Sequence, residues 1–316
     1  MAVTLAEAAV LSQDNLQRGV IETFVQESVI LDRLPLLTIQ GNAYAYNEEA
    51  TLPGVAFRSV NEAYTESTGT FNQKSESLVI LGGDADVDRF IVQTRGNLND
   101  QRAAQTRLKV KAASYKFQDH FFNGDVAVDP KGFDGLKKRL TGSQVLDADT
   151  NGMGPVAGGQ DFFDALDALI AQVNGDVDAL YMNKAVRAKI LSSGRRLGGT
   201  DWIMQSFGDG PGMVKRIPTY NGIPMLDPGT TAAGVDILPQ NETQGTATNA
   251  SSIYAVRFGQ DEGDQAVTGL TNGGVQVYDL GELQEKPAYR TRIEFYCGLA
   301  VFGGKAAARL RGVLAA

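Results

Sequence analysis

A single long helical pattern occupies residues 100–124, DQRAAQTRLKVKAASYKFQDHFFNG, and the rest of the fold is organised around it. Ala104, Leu108 and Tyr115 recur near one another on one face, as apolar residues of an amphipathic helix do. The same face also takes in Val110, Ala113, Phe117 and Phe121. Gly124 is a typical residue to end such a helix. We therefore predict one rod from Asp100 to Asn123, about 35 Å long at about 1.5 Å per residue.

Before this helix, the sequence predicts a long β-hairpin. Residues 41–93 show little helical period and contain many β-formers, turn residues and small polar groups. Val55–Thr65 and Leu78–Val92 are interpreted as its two strands, with Thr68–Ser75 as a polar tip between them. Because a two-stranded hairpin is marginal alone in water, such a projection needs a partner.

The first residues predict an arm of two short helices. Thr4–Glu7 has the form of a capping box that opens a helix. A second helical pattern follows, with apolar residues on one face at Leu16, Val20, Ile21, Phe24 and Val25. Pro35 ends this region. Two amphipathic segments ahead of any sheet are expected to lie on another surface.

Beyond the long helix, helices alternate with strands, which indicates a compact α/β unit. Phe162–Val173 follows helical spacing, and Val177–Met182 is a short predicted strand. Asn183 is expected to cap a helix that stops at Gly194, and Ile217–Leu226 is a further predicted strand.

The last predicted strand alternates strictly. Apolar and small residues at Tyr289, Thr291, Ile293 and Phe295 are separated by Arg290, Arg292 and Glu294. This period of two predicts a strand with one buried face and one charged face.

Composition excludes several classes of protein. The 316 residues carry 29 basic and 37 acidic side chains, a formal charge of −8, whereas proteins that bind nucleic acid tightly through phosphates are usually basic. No signal peptide and no apolar run of about 20 residues is visible, so we expect a soluble protein. One cysteine, Cys297, cannot form an internal disulfide, which suits assembly in a reducing cytoplasm.

The candidate catalytic residues are few. His120 is the only histidine, and it lies far from Cys297 in the sequence. A Ser-His-Asp or Cys-His arrangement would have to be built from one imidazole at the end of a helix. We therefore expect a structural histidine, no catalytic residue and no zinc site.

Two aspartate patterns resemble calcium loops only in part. Asp147–Gly152 matches the first half of an EF-hand loop, but the twelfth position is Gly158, where a bidentate glutamate is needed. A surface turn is the preferred interpretation, and a weak calcium site stays open. Asp84, Asp86 and Asp88 alternate with period two and are expected to form one solvated or interface face of a strand.

The glycine-rich runs Gly198–Gly199 and Gly208–Gly212 do not predict a phosphate loop. They lack the strand-loop-helix order and the lysine that such a loop requires. We interpret both runs as flexible loops.

The order of arm, hairpin, long helix, α/β unit and returning strand resembles the major capsid proteins of tailed phages, which have the α+β fold of the Hong Kong 97 type. The resemblance implies five parts: an N-terminal arm (1–40), an extended hairpin loop that overlaps a neighbour (41–95), a peripheral domain with a spine helix (96–155), an axial α/β domain (156–285) and a C-terminal strand returning to the peripheral domain (286–316).

Short motifs carry this resemblance as well. They are Phe122–Asp125 with Gly132–Leu136 as the turn after the spine, Ala179–Asn183 as the axial strand with its capping asparagine, Tyr220–Pro224, Ser252–Gly259, and Arg290, Arg292 and Ala300–Phe302 in the closing strand. One departure is Gly259-Gln260-Asp261, where the family commonly has glycine followed directly by aspartate.

The resemblance implies a shell protein without enzymatic activity or cofactor. It implies pentamers and hexamers of one chain in a closed icosahedral shell around double-stranded DNA, assembled in the host bacterial cytoplasm, without a membrane. A portal protein, a separate scaffolding protein, since the arm begins almost at Met1, and a possible decoration protein are the expected partners. The alternatives are an encapsulin-type compartment that encloses cargo enzymes, and an unrelated α/β enzyme, which would form only a small oligomer.

Some family members join subunits covalently through a lysine on the extended loop and an asparagine near the C-terminus. Lys74 is the only lysine between Gly41 and Arg95, but no asparagine lies beyond Asn272. We therefore expect Lys74 to be solvated or salt-bridged at the tip rather than cross-linked.

The long helix is basic, and two interpretations of this charge stay open. Its cations are Arg102, Arg107, Lys109, Lys111 and Lys116, against Asp100 and Asp119. They either form salt bridges with acidic neighbours in the shell or make a loose electrostatic lining that faces DNA.

Overall fold

The computed structural model describes Phe24 and residues 28–95, 101–197, 205–207 and 215–315. Apart from Phe24, the two predicted helices of the arm lie outside the described residues. The glycine runs at 198–199 and 208–212 also lie outside them.

The end of the predicted arm packs into its own subunit. The ring of Phe24 meets Phe295 edge to face, with 5.5 Å between the ring centroids. Ile30, Leu31 and Leu34 are fully buried, and the first strand, β1 (Leu36–Thr38), follows them. The expectation that the whole arm lies on another surface is therefore wrong for this part, because its apolar side chains find partners in the subunit's own core.

The hairpin is present, but its strands differ from the predicted ones. β2 (Ala43–Thr51) pairs antiparallel with β3 (Thr70–Ser77), and residues 52–69 form the tip. The predicted strand Val55–Thr65 is therefore wrong, and most of the predicted tip, Thr68–Ser75, is strand. High β-propensity marks a strand only where a partner strand is available to pair with it.

After the hairpin the chain enters β4 (Val79–Asp88) and then the helix α1 (Arg89–Arg95). The predicted strand Leu78–Val92 is correct as far as Asp88 and wrong beyond it. A carboxylate oxygen of Asp88 accepts a hydrogen bond from the backbone N–H of Phe90 at 2.7 Å, which caps the helix start.

The long helix α2 runs from Gln101 to Asn123 and agrees with its prediction. Its buried face consists of Thr106, Val110, Ser114, Phe117, Gln118, Phe121 and Phe122. Leu108 is 60% exposed and Ala104 is also exposed, so the predicted face was partly wrong. Gly124 ends the helix where a β-carbon would come within 2.3 Å of the carbonyl oxygen of Phe133, so glycine is required there.

The long helix lies on a four-stranded sheet with the strand order β1-β13-β14-β4, in which β13 is Val267–Glu282 and β14 is Ala288–Val301. The predicted alternation in β14 is confirmed. Ile293 and Phe295 are buried, and the ring of Phe295 lies 5.9 Å from that of Phe117 on the helix, whereas Arg290 and Arg292 belong to the opposite face.

A second sheet has seven strands, in the order β5-β15-β12-β6-β10-β9 with β11 paired to β12. Its strands are β5 (Val145–Asp147), β6 (Ala179–Tyr181), β9 (Thr219–Tyr220), β10 (Ile223–Leu226), β11 (Glu242–Gln244), β12 (Ala247–Val256) and β15 (Ala307–Leu314). The remaining elements are α3 (Leu136–Arg139), α4 (Pro155–Gly158), α5 (Gln160–Ala171), α6 (Lys184–Arg196) and the strand pair β7 (Gln205–Phe207) and β8 (Lys215–Ile217). The predicted segment 286–316 is thus divided, with β14 in the first sheet and β15 in the second.

The second sheet is buried on both faces, as central strands of α/β units are. Tyr181 and Tyr254 face the long helix, where the ring of Phe122 lies 5.4 and 5.1 Å from theirs. Leu180 and Ala255 point to the other side, into a core shared with α5 and α6. The rings of Phe122, Tyr181 and Tyr254 thus pack the second sheet against the long helix, which also lies on the first sheet.

The helices and the first strand predicted for the α/β unit are found, but α6 ends at Arg196 and not at Gly194, and one predicted strand is wrong. The side chain of Asn183 caps α6 by accepting a hydrogen bond from the N–H of Ala185 at 2.8 Å. The predicted strand Ile217–Leu226 is instead a tight hairpin, β9 to β10. Asn221 and Gly222 turn the chain there with φ of 49° and 81°, which is typical of an Asn-Gly hairpin turn.

Candidate assembly surfaces

The root of the hairpin is fixed firmly to the body of the subunit. The Nη1 and Nη2 atoms of Arg139 in α3 donate hydrogen bonds to the two carboxylate oxygens of Glu76, the second at 2.7 Å. Both side chains are largely buried. Tyr46 packs on Phe302 with 4.9 Å between ring centroids and donates a hydrogen bond to the carbonyl of Val301. Burial raises the pKa of Tyr46 to about 12. The direction of the hairpin is therefore set at its root.

Lys74 forms an ion pair with Glu48 across the hairpin at 2.6 Å. The prediction of a salt-bridging lysine is confirmed, although Lys74 lies within β3 and not at the tip. The lysine is about half exposed.

The tip at 52–69 is folded, but none of the residues that the structure describes covers it. Ser67 donates a hydrogen bond to the carbonyl of Gly54 at 2.9 Å, and the guanidinium of Arg58 lies 5.2 Å from the ring centroid of Tyr64. Its large apolar side chains are nonetheless exposed: Leu52, Val55, Phe57, Val60 and Tyr64. A cluster of this kind on a soluble protein commonly marks an interaction surface.

The outer face of the four-stranded sheet carries a ladder of ion pairs. Arg292 binds Asp84 with Nε–Oδ1 at 2.8 Å and Nη2–Oδ2 at 3.0 Å, and Arg290 binds Asp86 in the same two-pronged way. The hydrogen bonds from Arg290 and Lys286 hold the pKa of Asp86 well below its usual range. The predicted aspartate face is thus found, with Asp88 diverted to cap α1. The alternation of the aspartates and that of the arginines were both predicted from the sequence, but the pairing between them was not.

The cations of the long helix are divided between two environments. Arg102 pairs with Asp279 at 2.6 Å, and Lys116 lies 3.8 Å from Asp129, so these salt bridges form within the subunit. No ion pair found among the described residues involves Arg107 or Lys109.

His120 and Cys297 both line one small cavity beside the long helix. The Nε2 atom of His120 lies 3.4 Å from a carboxylate oxygen of Asp129. The Cys297 side chain is completely buried, and this burial raises the pKa of its thiol far above the ordinary value. A thiol held protonated is a poor nucleophile. No hydrogen bond joins it to His120 within the part of the chain that the structure describes.

The turn at Asp147–Gly152 is occupied by protein partners. Asp147 binds Arg311, with Nη2–Oδ2 at 3.0 Å, and Asn151 accepts a hydrogen bond from the N–H of Thr246 at 3.1 Å. Within the described ranges, no group of three or more His, Cys, Asp or Glu side chains is placed to hold a metal ion. No helix in the same ranges is long and apolar enough to cross a membrane.

Comparison with known proteins finds a family that is similar to the N-terminal part of this chain. Residues 12–161 match the family model described as Major capsid protein GP7. This range contains the hairpin and the long helix, the elements that carry most of the surfaces described above. No curated protein matches the chain in sequence.

Solved structures share the fold over nearly the full length. The SrpI encapsulin from Synechococcus elongatus PCC 7942 is 18% identical, with 90% of this chain and 87% of that chain covered and a TM-score of 0.66. The capsid of a native GTA particle is 13% identical, with 91% and 90% covered and a TM-score of 0.61. A structure of Microbacterium phage Oxtober96 is 14% identical, with 90% of both chains covered and a TM-score of 0.56. The chain thus has the Hong Kong 97-like fold of these capsid and encapsulin shells, and its residues 12–161 are similar to the family described as Major capsid protein GP7.

Proposed function

We propose that this chain builds the icosahedral head of a tailed phage, as pentamers and hexamers that enclose double-stranded DNA. The observation that carries the proposal is the hairpin, whose root is fixed by Arg139 and Glu76 while its apolar tip is exposed among the described residues. A fixed projection with an unpartnered apolar end is suited to reach a second copy.

The energetics of such a shell depend on repetition. A contact between different surfaces of identical chains closes only under symmetry, and each subunit both gives and receives it. Burying the apolar side chains of the tip contributes at about 25 cal/mol per Å² removed from water. Many modest contacts per subunit then make a stable container although each one is weak.

Non-specific contact with DNA is a further part of the proposal. The net charge of −8 opposes tight binding to phosphates, while Arg107 and Lys109 have no ion-pair partner among the described residues. A few free cations on an acidic protein suit an inner wall along which DNA slides.

We also propose a structural role without catalysis. The support is that burial raises the pKa of the Cys297 thiol and that His120 contacts Asp129 beside it. A separate scaffolding protein, a portal, possibly a decoration protein, and assembly in the host cytoplasm complete the proposal.

Electron microscopy of the expressed chain, alone and together with its scaffolding protein, tests this proposal. Closed particles of uniform size are the expected result. A protein that remains monomeric in both preparations, at every concentration tried, rules the proposal out.

The second candidate is an encapsulin-type shell that encloses cargo enzymes. The observation in its favour is the TM-score of 0.66 with the SrpI encapsulin, above those of the GTA and phage capsids compared here. Mass spectrometry of shells purified from the native source separates the two. DNA with portal protein supports the phage head, and one enriched enzyme supports the encapsulin.

A further inference from the structure

A cavity of about 180 Å³ lies beside the root of the hairpin, where β4 begins. Its lining is largely apolar and includes Val79, Leu81, Phe117 and Phe133. Ile80, which is 71% exposed, also lines it, so the cavity opens to the surface. Because a cavity of roughly 150 Å³ is large enough to hold a benzene ring, this one can take a single aromatic side chain.

The same chain carries an aromatic side chain that no other residue described by the structure covers. Phe57 lies at the tip of the hairpin, and its side chain is completely exposed. The paired strands run from Ala43 and Ser77 at the root to Thr51 and Thr70 near the tip. Seven residues at about 3.3 Å each give a span of about 23 Å. The tip therefore cannot enter the cavity at its own root.

Charge complementarity also favours binding of the hairpin tip in this cavity. Lys116 and Lys131 line the cavity together with Asp129, while the tip carries Glu62 and Glu66 against one cation, Arg58. Lys131 and Glu66 are exposed, and neither takes part in an ion pair found among the described residues. A net positive rim thus faces an acidic tip.

A larger cavity, of about 610 Å³, fits the tip less well. It also lies near the hairpin root, where Tyr44 meets the carboxylate of Glu262. Asp261 and Glu262 line it, and they have the same sign of charge as the acidic tip. Like charges brought together oppose binding.

We propose that Phe57 of one copy inserts into the cavity beside Phe117 and Phe133 of the next copy, with Glu66 near Lys131. This inference rests on the proposed function, since it names the surface that receives the hairpin. Tip and cavity lie at opposite ends of the hairpin, so the contact runs head to tail. Such a contact closes rings or continues from copy to copy.

Site-directed cross-linking tests the contact within assembled particles. The double variant Phe57→Cys with Ile80→Cys is treated with a short bifunctional maleimide, which tolerates wider separations than a disulfide. All variants are made with Cys297→Ala, because Cys297 lines the same cavity and could otherwise react with a cysteine at position 57. We expect a ladder of covalent oligomers from the double variant and none from either single variant. Phe57→Cys with Val235→Cys is the matched control, because Val235 is 57% exposed on the α/β unit.

The outcomes separate the two proposals. If the wild-type chain forms no particles, the proposed function fails. If particles form but the Phe57–Ile80 variant links no better than the Val235 control, the function stands and the insertion is overturned.

If the cysteine variant does not assemble, charge-exchange variants test the proposed insertion instead. Lys131→Glu and Glu66→Lys should each raise the critical concentration for particle formation about threefold, as expected for an exposed ion pair. The double exchange should restore it. Lys184→Glu, on the exposed side of α6, controls for net charge. Single variants that assemble like the wild type, or a double exchange without rescue, overturn the insertion.

Discussion

Arg290 and Asp86 face each other directly across the β4–β14 pair and are joined by two parallel hydrogen bonds, Nε to Oδ1 at 2.6 Å and Nη2 to Oδ2 at 2.7 Å. Lys286 adds a third bond to the same carboxylate. The arrangement ties the strand that leaves the hairpin to the strand that returns near the end of the chain. It therefore joins the root of the projecting element to the body of the subunit.

The stability of the subunit should depend on this carboxylate in a pH-dependent way. The folded-state pKa of Asp86 is depressed by Arg290 and then by Lys286. Its contribution is present above the unfolded pKa of about 3.9 and is lost as the pH falls toward the folded value. Asp86→Asn should lower the free energy of unfolding at pH 7, and the difference from wild type should narrow below about pH 4.

Denaturant unfolding of the unassembled subunit from pH 7 down to pH 2.5 measures this. Asp176→Asn, at an exposed aspartate, is the control and should follow the wild type throughout. A constant difference between wild type and Asp86→Asn at all pH values would show that the ion pair does not act through ionisation.

Breaking the Arg139–Glu76 ion pair at the hairpin root should make the hairpin more flexible. Glu76→Gln leaves the largely buried guanidinium of Arg139 without its carboxylate, which should cost about 2 kcal/mol. Hydrogen exchange of the backbone between Ala43 and Ser77 should become faster. Lys74→Gln breaks the more exposed pair with Glu48 and should cost less than about 1 kcal/mol. Equal effects of the two changes would mean that the root is not the anchor.

Phe24 should stabilise the isolated subunit. Its ring is buried against Phe295, so Phe24→Ala should lower the free energy of unfolding by about 3–5 kcal/mol. Leu52→Ala, at an exposed position of the tip, should change it by less than about 0.5 kcal/mol. If Phe24→Ala were as mild as Leu52→Ala, this part of the arm would depend on a neighbouring copy after all.

The basic helix should affect the DNA content of the particles. Lys109→Glu with Lys111→Glu should reduce packaged DNA without blocking empty shells, because reversed charges repel phosphates. The ratio of absorbance at 260 and 280 nm of purified heads measures the DNA. Lys184→Glu with Lys189→Glu on α6 matches the charge change. Unchanged packaging in the first variant would remove the idea of a DNA-facing lining.

Sequence predicted best what depends on neighbours along the chain. The helix ending at Asn123 and the cap at Asn183 follow from the spacing of nearby residues, and both were found. The alternation in β14 was also found, since burial on one face imposes a period of two. The Asn221-Gly222 turn was missed although that pair is a strong hairpin signal.

What depends on distant partners was not predictable from such patterns. Val55–Thr65 has the composition of a strand, yet it pairs with no strand in the part of the chain that the structure describes. The partners of Asp84 and Asp86 lie about 200 residues away at Arg290 and Arg292. Likewise, Phe117, Phe133 and Cys297 meet at one cavity only because the long helix packs on the returning strand.

The central question is whether the hairpin tip must contact another copy for the shell to form. Sedimentation and electron microscopy would compare the wild-type chain with Phe57→Asp combined with Val60→Asp, with circular dichroism to confirm folding. We expect closed particles from the wild type and folded, unassembled subunits from the variant. Particles formed equally well by the variant would contradict this expectation.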